Sequence, residues 1–167
     1  LGVDIFQILI GIGIFLIFLI FRGLISRIII KRLENITKKT SNKLDDTFVQ
    51  AMEGPARFLP IVIGFFIASY YMSFSEDSRA IVDTINRTLI TIFIFWIMHQ
   101  IIEPISYILS GLGKVLTREL IGWIIKSLKI LIFILGLAAV LELWGIKIGP
   151  IIAGLGLFGV AVALGAQ

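Results

Sequence analysis

The sequence predicts an all-α, polytopic helical membrane protein of about five transmembrane helices, the last of which draws copies of the chain into a homo-oligomeric ring around a central pore. Three observations predict it. First, 58% of the 167 residues are hydrophobic and the mean hydropathy is +1.04, against roughly 45 to 50% apolar residues in an average soluble domain. Second, uncharged apolar stretches recur along the chain, with the charges collected between them. Third, the stretch IIAGLGLFGVAVALGAQ, residues 151–167, carries no charge and is built largely of small residues.

The elements follow in order. Ile5 to Phe21 holds no charge, and with its flank to residue 30 it crosses the hydrocarbon core at about 1.5 Å per residue. The sequence opens on Leu1 with no signal-peptidase-like site behind this run, so it reads as a retained span. Arg22 and Arg27 sit at its far end, where long cationic side chains reach the headgroups. A polar connection over 31–55 contains LDDTFVQAMEGP, which reads as a short surface helix ended by Gly54 and Pro55. The second span lies near 56–74 and closes on the polar turn SEDSR; the third lies near 84–103 and ends at Glu103 and Pro104. In the second connection, 104–120, apolar residues from Ile108 to Leu120 recur at helical spacing and predict an interfacial helix. The fourth span, near 121–144, begins with Trp123, Lys126 and Lys129 and ends with Trp144, interface anchors whose polar ends reach the headgroups. After a turn at Gly145 to Pro150, residues 148–167 form the fifth.

With alternating loops, Arg79, Arg87 and Lys147 fall on one side of the membrane and the rest of the fifteen Lys and Arg on the other. The positive-inside bias therefore predicts an outside N-terminus, cytoplasmic connections at 31–55 and 104–120, and a chain that leaves the fifth span on the cytoplasmic side. The basic excess, 15 Lys and Arg against 11 Asp and Glu, gathers beside apolar runs, so it reads as topology signal and lipid contact rather than as a nucleic-acid surface. Without cysteine there is no disulfide, thiol redox motif or thiolate metal site, and one His makes no cluster. Ser, His and carboxylates are nowhere grouped as a nucleophile with its base, so neither an enzyme, a cofactor nor a metal is expected.

The terminal helix carries the functional reading. At about 100° per residue, Gly154, Ala161 and Gly165 fall on one side, and Gly156, Gly159, Ala163 and Ala166 fall opposite. Between these smooth flanks lie two bulky stripes: Leu157, Val160 and Leu164, in line with Ala153, and Ile151, Leu155, Phe158 and Val162. A helix smooth on both sides can pack closely against a copy of itself on each side, a heterologous contact that closes into a ring. Helical geometry alone leaves open which stripe faces inward.

The segment AGLGLFGVAVALGAQ resembles the pore helix of the small-conductance mechanosensitive channel family. The resemblance puts a hydrophobic gate at Val160 and Leu164, the packing residues at Gly156, Gly159, Ala161 and Ala163, and the helix kink at Gln167. It favours the Val160 stripe as pore-lining, with Ala153 and Leu157; Val160 departs from the Leu usual at the first gate position. It also implies a homo-heptamer that passes ions and small solutes weakly selectively under membrane tension, for osmotic protection, in a bacterial inner membrane. A kinked second half of the helix and a β-rich cytoplasmic domain are implied as well. This sequence contains neither, and reads as the membrane part of a longer protein. The LDD before the second span is similar to members with extra N-terminal spans.

Other features have plainer readings. His99 and Gln100 lie at a span end and read as interhelical or headgroup hydrogen-bonding groups. Glu142 and Lys147 form a possible exposed pair, which contributes little. Trp96 reads as a deeper interface anchor, and SGLGK at 110–114 lacks the spacing of a phosphate loop. The rival functions are a permease or transporter domain working by alternating access and a structural membrane subunit. Neither needs a helix that is small on two opposite sides.

Overall fold

The computed structural model describes residues 5–37, 43–72, 74–111 and 117–165. They form five α-helices: α1 (Ile5–Thr37), α2 (Lys43–Tyr71), α3 (Glu76–Gly111), α4 (Arg118–Leu143) and α5 (Gly149–Gly165). No strand occurs among the described residues. Helices α1 to α4 pack in chain order, each on the next, and among the described residues α5 packs on none of them. The first four are long and apolar enough to cross a membrane; α5, with 17 residues, is shorter. The protein is thus an all-helical, multi-pass membrane protein.

The apolar side chains point mainly outward. Ile5, Phe6, Ile20, Trp123 and Phe133 are each more than three-fifths exposed, whereas the buried apolar set is short and centred on α2, with Val49, Met52, Ala56, Val62 and Ala68. In a bilayer the acyl chains cover such surfaces, and helices associate by close packing at small residues. Gly64 illustrates this: a Cβ there would stand 2.5 Å from Phe18 Cβ, so α1 and α2 meet at van der Waals distance only because the side chain is absent. Phe15 and Phe65 meet edge to face nearby, with centroids 6.1 Å apart. Between α3 and α4, a Cβ on Gly136 would lie 2.9 Å from Phe95 Cγ. Polar groups add directional ties: Asn86 Nδ2, buried, donates to Ser69 Oγ at 2.8 Å and joins α3 to α2.

The helices run further than the apolar stretches. Gly54 and Pro55 do not end a short helix; α2 passes through them and through Pro60 without interruption. Proline removes one backbone donor, but Pro55 and Pro60 are both fully buried, and packing on either side holds the helix together. Likewise α3 starts at Glu76, inside the expected turn, and continues through Glu103 and Pro104 to Gly111. The expected interfacial helix is therefore no separate element: its beginning completes α3, residues 112–116 lie outside the described residues, and its end opens α4. Hydropathy marks where charges stop. Lys, Arg and Glu are good helix formers, so hydrogen bonding carries on past that boundary.

Candidate pore helix and its anchorage

The path into α5 is set by backbone chemistry. Helix α4 begins at Thr117, whose extended backbone (φ −70°, ψ 151°) lets its Oγ1 accept from the Leu120 N–H, with Glu119 in the first turn. It ends at Trp144 with Gly145 in the left-handed region at φ 81°. The Gly145 N–H donates to Glu142 O at 3.0 Å and the Ile146 N–H to Leu141 O at 3.1 Å, so two carbonyls otherwise orphaned at the helix end are satisfied. The chain then turns on buried Ile148, whose carbonyl accepts from Ile151 and Ile152 at 2.9 and 3.0 Å and starts α5. Pro150 sits in this first turn, where its missing donor costs nothing. One side chain ties the turn back to the bundle: Trp144 Nε1 donates to Thr88 Oγ1 of α3 at 3.1 Å.

Along α5 no described residue of the same chain lies over the glycines. A Cβ added at Gly154, Gly156, Gly159 or Gly165 would meet no atom within 4 Å. Ala153, Ala161 and Ala163 are exposed. The bulky residues are bare as well: Leu157 is 75% exposed, Val160 57% and Leu164 67%, and on the opposite stripe Phe158 is 68% exposed. Ala166 and Gln167 lie outside the described residues. Among the described residues, nothing in the single chain lies over the flank glycines or covers Leu157, Phe158, Val160 or Leu164.

The interface residues divide. Arg22 and Arg27 line a polar cleft between α1 and α2. Trp123 and Lys126 are exposed. Lys129 instead forms an ion pair with Glu103 across the α3–α4 contact. Trp144 is half-exposed, its indole nitrogen engaged by Thr88. Trp96 is no simple anchor: its ring lies against Phe58 with centroids 5.5 Å apart, and a Cβ on Gly54 would stand 3.1 Å from it. His99 lines an apolar cleft of about 360 Å³ between α3 and α4, with Phe95, Trp96, Phe133 and Gly136. Glu142 and Lys147 form no ion pair among the described residues. The Thr88 and Glu103 ties were missed in the sequence, where no spacing marks their partners.

Among the described residues, no three His, Cys, Asp or Glu side chains gather to hold a metal.

Comparison with known proteins bears on this helix directly. Residues 126–167, which comprise most of α4 and all of α5, match the family described as mechanosensitive ion channel, transmembrane helices 2/3. Over 99% of its length the chain is 28% identical to an uncharacterized MscS family protein of Aquifex aeolicus, and over 98% it is 28% identical to the uncharacterized MscS family protein YhdY of Bacillus subtilis. Over 87% it is 24% identical to the large-conductance mechanosensitive channel MscMJLR of Methanocaldococcus jannaschii. The chain spans less than half of each relative, at 46%, 45% and 42%. No solved structure matches it.

Proposed function

Because this chain belongs to the small-conductance mechanosensitive channel family, we propose that it is the sensing and gating part of an ion channel opened by membrane tension, with α1 to α4 as a lipid-facing paddle and α5 as the pore helix. One observation carries the reading. Among the described residues of its own chain α5 packs on no other helix, and the glycines on both its flanks face open space. In a bilayer, helices smooth on two opposite sides pack by close backbone approach, and identical copies doing so around an axis form a ring.

With the Val160 stripe inward, seven copies stack apolar rings of Leu157, Val160 and Leu164. Water in a narrow apolar ring cannot recover the hydrogen bonds it leaves behind, so the constriction empties and hydrated ions stop there. Opening requires only a wider ring. Tension favours the state of larger in-plane area, and it shifts the population by its differential coupling to the two states and no more. The small flanks let neighbouring pore helices slide with little steric barrier. No charged residue occurs in α5, so selectivity is weak and small solutes pass with ions. The charge bias supports an orientation with the N-terminus outside and the end of α5 on the cytoplasmic side, and similarity to proteins of two bacteria supports a bacterial inner membrane.

The test is suction applied to patches of membrane reconstituted with the full-length protein. Current that rises with tension supports the channel; silent patches from protein that native mass spectrometry shows to be monomeric or dimeric support a transporter.

A further inference from the structure

We propose that the cleft between α1 and α2 beside Arg22 binds the phosphate of an anionic phospholipid headgroup. The cleft measures about 620 Å³. Helix α1 lines it with Arg22, Arg27 and Lys31, and α2 adds Arg57. Two carboxylates also line it and are already engaged: Glu53 lies 3.4 Å from Arg57, and Glu34 makes an interaction of its own. Among the described residues, no carboxylate lies within ion-pair distance of Arg22, Arg27 or Lys31. Among the described residues the lining therefore sets four cationic side chains against two carboxylates.

A second observation points to a ligand independently of charge. Ser26 lines the same cleft at 5% exposure, and among the described residues its hydroxyl has no hydrogen-bond partner. A buried hydroxyl left unpaired is costly, and such groups in native proteins generally have a partner. A phosphate oxygen would supply one. Room for it exists, since a Cβ on Gly23, also in the lining, would meet nothing within 4 Å.

Depth selects the source of the phosphate. Arg22 is the first charge after the uncharged run from Ile5 to Phe21, so it stands where hydrocarbon gives way to headgroups, and Lys31 lies about 13 Å further along the helix. Basic clefts between membrane helices at this depth suit anionic lipid headgroups. Acyl chains of such a lipid would run alongside the exposed apolar surface of α1, where Leu16, Ile17 and Ile20 are bare.

This inference does not rest on the channel reading, because lipid retention is measured without current. The full-length protein is delipidated in mild detergent, and phosphatidylglycerol or phosphatidylcholine is titrated in while retention per subunit is read by native mass spectrometry. Phosphatidylglycerol should be retained over phosphatidylcholine. Each basic side chain near such a headgroup is worth roughly fivefold in affinity, so Arg22→Gln with Arg27→Gln should lower its retention roughly twenty-five-fold. Gly23→Leu, which fills the cleft, keeps every charge and favours helix, should also lower it. Equal retention of the two lipids, or indifference to both variants, overturns the site. Displacement of the lipid by free glycerol phosphate overturns the assignment to a headgroup.

Discussion

Trp144 Nε1 and Thr88 Oγ1 lie 3.1 Å apart, so the turn that launches α5 is fastened to the early part of α3. Thr88 Oγ1 in turn donates to Thr84 O at 2.8 Å, which fixes the rotamer that presents its oxygen to the indole. Since among the described residues α5 packs on no other helix, this bond, the buried Ile148 and the covalent turn are the routes by which a movement of α3 would be passed to α5. Gly145 makes the route stiff: its left-handed backbone, closed by two hydrogen bonds, leaves the turn little freedom to absorb motion.

Trp144→Phe and Thr88→Val each remove that bond while keeping shape and apolar bulk. A net hydrogen bond is worth about 1 kcal/mol. Each variant is expected to assemble normally and to need higher tension for opening, and the double variant should add little to either single one. A double-mutant cycle of tension thresholds in patches checks this, and strictly additive shifts would mean the two residues act separately.

The α1–α2 contact should be intolerant of a single methyl group. At Gly64 a Cβ would stand 2.5 Å from Phe18 Cβ and 2.9 Å from Phe18 Cγ, atoms too near the backbone to swing aside. Gly64→Ala is therefore expected to force the two helices apart at a cost of about 1 to 3 kcal/mol. Gly13→Ala, in the same pair of helices, meets nothing within 4 Å and should be neutral or slightly stabilising through helix propensity. Unfolding in graded denaturing detergent distinguishes the two.

The contrast between these glycines also marks what was legible in the sequence. That Ile5 to Phe21 and Ile130 to Leu141 cross a membrane follows from the absence of charge alone, and so does the all-helical class. The turn at Gly145 and the start of α5 at Pro150 were legible from glycine and proline chemistry. Pro55 and Pro104 misled, because burial among neighbouring helices supports a helix that local rules would end. Partners across helices were not legible: nothing in the spacing of Glu103 and Lys129, or of Ser69 and Asn86, announces that they meet. Helical geometry alone left open which stripe of α5 faces inward, because what separates the stripes physically is contact with other copies, outside one chain.

Charge placed on each stripe separates them. Val160→Asp would put a ring of carboxylates in the proposed constriction, where they hold water and keep the path wet. Cells expressing it are expected to leak ions and grow poorly without osmotic stress. Phe158→Asp, on the opposite stripe, would instead turn a carboxylate toward lipid or neighbouring helices, at about 2.5 to 3.5 kcal/mol for a helix centre. It should lower the amount of assembled protein without causing leak. Ion flux from loaded cells and membrane abundance are the two readouts, and the opposite pattern assigns the pore to the Phe158 stripe.

The flanks of α5 give the last prediction, because among the described residues of one chain nothing lies against their glycines. Gly159→Leu adds a side chain where a Cβ finds no atom within 4 Å, so the fold of the individual subunit has no reason to change. Between two copies packed through that flank, the same side chain would hold the backbones apart, and close approach is what makes small-residue contacts favourable in lipid. The variant is expected to retain the thermal stability and helical content of the subunit while shifting native mass spectra from a ring toward monomers. Gly122→Leu, which also meets nothing within 4 Å but lies at the start of α4 away from the small-residue helix, should leave the oligomer whole. If Gly159→Leu left the ring intact as well, the flank would face lipid rather than a neighbouring subunit, and the ring would have to close through a different surface.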